Sequence, residues 1–286
     1  MPKVLVHEYL SGGGALDGVA PAEAAALLAQ GRAMRDAMLA DLRALPDVET
    51  LVADRAHELP RLVALADAVW SVAPETGGVL EVICASVPCS KWLGCDVASI
   101  RVAASKSATR ARLAAAGVPV PEAGMAGTRR CIVKPDDGAG ASQTRVFESF
   151  EQACAAAGAG MTIESFVAGE PLSLSLLCAG GRAELLSINR QRIDIDACGR
   201  VAFRGVDSAI APLDGVRGRA LQTLATRVAD ALPGLFGFVG VDIVEHPRRG
   251  PVVIEVNPRL TTAYVGLSAR LGRNLARDLL ARWRDG

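Results

Sequence analysis

Gly240-Val-Asp242-Ile-Val-Glu245, a turn through residues 246–250, and Val252-Val-Ile-Glu255-Val-Asn257-Pro-Arg259 form the stretch that decides the fold. Two apolar runs of strand length flanking a tight connection predict a β-hairpin. Side chains alternate along a strand, so Glu255 and Asn257 share one face, and Asp242 can meet them from the partner strand. Two carboxylates and an amide then converge, a hard-oxygen set of the kind Mg²⁺ takes while sharing its octahedron with phosphate and water. The plainer alternative is a strand end with solvated polar residues. An otherwise apolar strand closing on Glu-x-Asn-Pro-Arg argues against it.

Upstream, Cys131-Ile-Val-Lys134-Pro-Asp-Asp-Gly138-Ala-Gly140-Ala141-Ser142 delivers a lysine from a buried strand straight into small residues. Backbone N–H groups of such residues can approach phosphate oxygens, and the lysine adds a point charge. An ordinary surface turn with a snorkelling lysine explains the same residues. Between the two stretches lies Met161-Thr-Ile-Glu164-Ser-Phe166-Val167-Ala-Gly169-Glu170, an apolar strand end with two carboxylates and no basic neighbour in sequence. Adenine sites need backbone donors and acceptors beside an apolar wall, which Phe166 and Val167 could supply. Simple core packing is the rival reading.

Further out, residues 3–9 read as a buried strand, 11–14 as a loop and 21–45 as a helix with Pro21 in its first turn. Short apolar runs at 48–52 and 68–72, separated by a helical stretch at 58–65, extend this into a small parallel, Rossmann-like sheet. A helix at 105–116, stopped by Gly117, opens a new unit. The expected lobes are 1–102, an α+β lid at 103–168, and a core at 169–286. Strands at 172–178, 183–190 and 192–195 and a helix at 216–231 precede the hairpin. Neither G-x-G-x-x-G nor G-x-x-x-x-G-K-[ST] occurs.

Composition limits the partners. Of 286 residues 50% are hydrophobic, and 31 Lys plus Arg balance 31 Asp plus Glu. No global field recruits nucleic acid or an anionic membrane, so phosphate binding must be local. Residues 62–87, the most apolar stretch, are interrupted by Asp67, Pro74, Glu75 and Gly77-Gly78. The N-terminus lacks a signal-peptide pattern, and a cytoplasmic location is expected. Seven scattered cysteines without C-x-x-C spacing, and three scattered histidines, predict reduced thiols and no zinc site.

Lys106, Lys134 with its glycine-rich loop, Glu164-x-Phe166-Val167, Asp242 and Glu255-x-Asn257 occur in an order that resembles the ATP-grasp superfamily. The resemblance implies an ATP-grasp fold with an N-terminal pre-ATP-grasp lobe, and ATP and Mg²⁺ (or Mn²⁺) as cofactors. It gives Lys106 and Lys134 to the phosphates, Gly138, Gly140, Ala141 and Ser142 to the loop over them, and Glu164, Phe166 and Val167 to the adenine hinge. Glu170 would take the ribose, although it follows Gly169 directly where the family often places this carboxylate one residue later. Asp242, Glu255 and Asn257 would hold the metal. Lys134 and Arg259 would be catalytic, Arg259 steadying the phosphoryl group or acyl-phosphate.

His7-Glu-Tyr-Leu-Ser11-Gly12-Gly13-Gly14, Ala73-Pro-Glu75-Thr-Gly-Gly, Ile188-Asn189-Arg190-Gln191 and Asn257-Pro-Arg-Leu-Thr-Thr262 are similar to segments of the tyramine-L-glutamate ligases of methanofuran biosynthesis and their bacterial relatives. That implies amide formation between glutamate and an aromatic amine through an acyl-phosphate. Ser11, Gly12, Gly13, Glu75, Asn189, Arg190 and Gln191 become candidates for holding substrate, and a homodimer is compatible. Other amino-acid, dipeptide or polyglutamate ligases of the fold, or a silent nucleotide-binding regulator, remain alternatives. No Met-Lys-Met carrier motif supports a biotin-dependent carboxylase.

Overall fold

The computed structural model describes residues 1–15, 19–138 and 143–285, so Gly140, Ala141 and Ser142 lie outside the described residues. The chain opens with β1 (Lys3–Glu8), α1 (Pro21–Arg43), β2 (Glu49–Ala53), α2 (Leu59–Leu65), β3 (Ala68–Val72) and α3 (Val79–Ser86). β1 lies between β2 and β3 and runs parallel to both. Helical crossovers make that arrangement, since parallel neighbours cannot be joined by tight turns. Pro21 begins α1, where a missing N–H costs nothing.

α4 (Val97–Ala104) and α5 (Lys106–Ala115) follow, with Asp96 and Ser105 accepting from backbone N–H groups at their first turns. The boundary expected near residue 102 falls inside α4, a helix the β-branched Val97–Ala104 run did not announce. Burial of Ile100 and Ala103 holds it. The stretch expected as the lid holds β4 (Arg129–Pro135), β5 (Arg145–Ser149), α6 (Phe150–Ala156) and β6 (Met161–Ser165), its strands in the antiparallel order β5-β4-β6.

A five-stranded antiparallel sheet in the order β11-β10-β7-β8-β9 completes the molecule. It is formed by β7 (Glu170–Ala179), β8 (Arg182–Ile195), β9 (Val201–Asp207), β10 (Gly237–His246) and β11 (Gly250–Asn257), with α7 (Val216–Ala231) before the hairpin and α8 (Leu267–Leu271) and α9 (Leu275–Arg284) after it. Two short strands were expected where β8 runs unbroken. Its register slips at Ser175/Leu176 against β7 and at Arg192/Ile193 against β9 bend it without ending it. β9 was not anticipated.

Two large cores join the N-terminal sheet to the large sheet. In one, Leu5 and Val69 pack with Leu172, Ile188 and Val241 and with α7 through Leu221 and Val228. In the other, Val4, Val6 and Trp70 pack with α1, Phe238 and α9. The lid has its own small core of Cys131, Val133 and Ala153. All seven cysteines are free, and no helix among the described residues is long and apolar enough to cross a membrane.

Candidate active site

Asp242 and Glu255 are direct register partners across β10 and β11, and Gly240 opposes Asn257. A register slip follows immediately between Asp242 and Ile243, so the irregularity sits where the two acids face each other. Bulges commonly re-aim side chains in this way. Asn257 Nδ2 donates to Asp242 Oδ2 at 3.3 Å. Burial first, and then the Glu255 charge, push the Asp242 carboxyl up to about 7, against hydrogen bonds from Asn257 and Gln191. Like charges set directly opposite destabilise a strand pair unless a cation joins them. The donor set of two carboxylates and an amide fits Mg²⁺.

Cations close in from α5 and the lid. Lys106, buried at the first position of α5, lies 3.1 Å from Glu255 Oε1 and donates to the Gly138 carbonyl. Asp136 fixes the helix start: it accepts from Ser107 N at 2.7 Å and Ser105 Oγ at 2.6 Å, and its carbonyl accepts from Lys106 N at 3.0 Å. Burial alone would raise the Asp136 carboxyl, yet the serine hydrogen bonds and Lys106 hold it below the usual range. Arg110 stands one turn after Lys106, on the same helix face. Lys134 on β4 and Glu164 on β6, both buried, pair at 2.7 Å, with Arg110 Nε 3.8 Å from the other Glu164 oxygen.

Several of the expected site residues have partners within the chain. Glu164 was read as a carboxylate without a basic neighbour, free for adenine; its oxygens face Lys134 and Arg110 because antiparallel pairing sets Lys134 diagonally across from it. Glu170, expected at the ribose, and Arg190, a candidate for holding substrate, engage each other at 2.8 Å, with Arg217 at 2.7 Å from Glu170 and bridging onward to Glu245. The Arg190 hydrogen bond, opposed by burial and joined by Arg217, keeps Glu170 below the usual carboxylate range. Asn189, a candidate for holding substrate, is fully buried and hydrogen-bonded within the sheet. Its Nδ2 donates to Ser173 O and Ser175 Oγ, both at 3.1 Å, and its Oδ1 accepts from Ser187 Oγ at 2.8 Å and Ala209 N at 3.1 Å. A side-chain amide has no further donors to give. Gln191 reaches Asp242 instead.

Glu75, expected against substrate, forms a buried two-pronged ion pair with Arg259. Phe166 has one ring face covered by the Arg130 guanidinium at 4.3 Å, while no hydrogen bond among the described residues engages the Val167 backbone. Ser11 and its neighbours are shaped by buried Glu8, which accepts from Ser11 N at 2.7 Å and Leu10 N at 3.2 Å, and Gly12 O accepts from Ala56 N. Gly13 turns with φ +85°, and a Cβ at Gly12 would press on the Glu8 carbonyl at 3.1 Å.

Sequence reading passed over Arg110, Asp136, Arg217 and His7. The Lys106/Arg110 spacing was a usable signal for the first. His7 is buried, its Nδ1 is 2.9 Å from Ser71 Oγ, and burial lowers it to about 4.

A sequence profile for the ATP-grasp domain matches residues 103–263, and one for the pre ATP-grasp 3 domain matches 32–100. The chain belongs to the ATP-grasp domain family. It is 31% identical over 199 residues to the tyramine–L-glutamate ligase of Methanocaldococcus jannaschii, covering 68% of this chain and 56% of that protein. The chain thus spans about half the length of the curated relatives it matches. A structure described as an ATP-grasp superfamily protein from Archaeoglobus fulgidus superposes with a TM-score of 0.76 at 23% identity, over 98% of this chain and 88% of that one. The D-alanine–D-alanine ligase of Bacillus anthracis, solved with ATP, superposes with a TM-score of 0.67 at 13% identity, over 100% and 98%.

Proposed function

We propose that the chain is an ATP- and Mg²⁺-dependent ligase that activates a carboxylate as an acyl-phosphate and joins it to an amine, with glutamate and tyramine or a related aromatic amine as substrates. The observation that carries this reading is the Asp242–Glu255 pair held opposite itself beside the buried amines of Lys106 and Lys134. Acids that need a divalent cation, and lysines within reach of a polyanion, together suit a metal–triphosphate. The names of the curated relatives supply the substrates. A cytoplasmic setting, where ATP is abundant, is part of the same reading.

Asp242, Glu255 and Asn257 would hold Mg²⁺, which when bound would draw charge from the transferred group. Lys106 exchanges Glu255, and Lys134 exchanges Glu164, for phosphate oxygens. The side-chain carboxylate of glutamate attacks the γ-phosphorus in line, the bond to the β,γ-bridging oxygen breaks, and ADP leaves. The amine then attacks the acyl carbon. Arg259 and loop N–H donors hold the oxyanion, and phosphate departs with the amine's proton.

The test is ADP release by purified protein given Mg-ATP and glutamate, with and without tyramine, with mass spectrometry of the product and Glu255→Gln as control. Tyramine-dependent ADP and a glutamyl-tyramine mass, both lost in the variant, are expected. ADP release with other amines or amino acids would keep the ligase and replace the substrate. Binding of Mg-ATP with no turnover across an amine screen would replace the reading with a regulatory one.

A further inference from the structure

We infer that Glu75 is a positioning residue for Arg259, and that residues 74–78 form a strut through which the N-terminal sheet sets both walls of the phosphate site. Arg259 Nε lies 2.9 Å from Glu75 Oε1, and Arg259 Nη2 donates to Glu75 Oε2 at 3.0 Å. Glu75 is buried and Arg259 nearly so, with 8% and 14% of their side-chain surface exposed, and they are 184 residues apart in sequence. Arg259 Nη1 donates to Leu260 O at 3.3 Å. A guanidinium carries five N–H donors in a rigid fork. Glu75 and Leu260 engage one N–H on each Nη nitrogen, which leaves a second N–H on each for an anionic oxygen.

The same loop grips the other wall. Gly77 N donates to Asp137 Oδ2 at 2.9 Å, next to Gly138, whose carbonyl holds Lys106. Gly77 and Gly78 both adopt positive φ, +64° and +70°, which lets the chain turn sharply enough for Glu75 to point at β11 while Gly77 points at the lid. Without Glu75, the carboxylates whose charges still act on Arg259 are Glu255 and Asp242. Glu75 therefore keeps Arg259 on the anion side and off the metal ligands.

The role of Glu75 rests on the ligase reading of Arg259, so its test uses one readout from turnover and one from metal binding alone. In turnover, a double-mutant cycle separates acting through Arg259 from touching substrate directly. Glu75→Gln should lower kcat about tenfold with KM for ATP changed less than about twofold, and should cost less than about twofold in an Arg259→Ala background. Independent, multiplying losses would return Glu75 to substrate contact. In binding, Mn²⁺ titrated against the protein and followed by electron paramagnetic resonance should bind about fivefold more weakly to Glu75→Gln, and recover in Glu75→Gln/Arg259→Ala. Glu75→Asp, which keeps the charge but falls a methylene short, should lie between. Unchanged Mn²⁺ affinity in Glu75→Gln overturns the inference even if no ligase activity is ever found. Absence of turnover in wild-type protein with the Mn²⁺ pattern intact removes the ligase reading alone.

Discussion

At the scale of single residues, two desolvated groups titrate over overlapping pH ranges with opposite sign. Asp242 is raised from 3.8 to about 7, so the folded chain holds a proton that the unfolded chain has lost, and stability falls as pH climbs through that window. His7 is lowered from 6.5 to about 4, so the unfolded chain holds the extra proton, and stability is lost as pH falls through its window. Each amounts to roughly 3 to 5 kcal/mol at full amplitude, so in metal-free protein the two slopes largely offset each other. Asp242→Asn should expose the histidine slope, making the protein markedly less stable at pH 4.5 than at pH 7, whereas His7→Gln should expose the opposite one. Urea denaturation at a series of pH values, with chelator present, reads both. A wild-type slope that neither variant changes would show that these groups do not carry the pH dependence. Asp242→Asn should also abolish turnover while matching or exceeding wild-type stability above pH 7, because it removes a charge held against Glu255.

At the scale of elements, the phosphate site depends on how α5 begins. Asp136, from the segment after β4, caps Ser107 N and Ser105 Oγ and so fixes the lid against the helix that presents Lys106. Asp136→Ala is expected to cost about 1 to 2 kcal/mol of stability and to raise KM for ATP severalfold with little change in kcat. Thermal melts and initial rates check it, and a loss confined to kcat would place Asp136 in the chemistry. The elements themselves were largely legible: residues 68–72, 216–231 and the hairpin read correctly from period and punctuation. β9 was not, because Gly205 interrupts a run of seven residues whose strand character comes from pairing with β8. The candidate site residues stood out because polarity breaks an apolar pattern, near the strand end for Lys134, Glu255 and Asn257 and in mid-strand for Asp242. Their partners did not. Glu164 with Lys134 and Glu75 with Arg259 are joined by packing between elements, and no local pattern encodes which acid meets which base.

At the scale of the molecule, the N-terminal sheet and the large sheet share two extensive cores, while the lid rests on a core of three fully buried residues. Local stability follows buried apolar contact, so the lid should open well below the free energy of global unfolding. Its outer edge is fastened to the tip of the β8–β9 hairpin: Val146 N donates to Gly199 O at 2.8 Å, Val201 N donates to Thr144 O at 3.0 Å, and Arg145 Nη2 donates to Cys198 O at 2.9 Å. Gly199 sits at φ +77°, and a Cβ there would overlap the Val146 carbonyl, so only glycine permits this approach. Gly199→Ala should therefore unfasten the lid without touching either large core. Hydrogen exchange of residues 129–165 should speed up, and ATP affinity should fall about three- to tenfold, while the main thermal transition moves by no more than about 2 °C. Saturating Mg-ATP should slow lid exchange in both proteins, because a ligand that binds only the closed form draws the equilibrium toward it. If Gly199→Ala instead lowers the main transition and leaves ATP affinity intact, the hairpin tip stabilises the large sheet and the lid closes by other means.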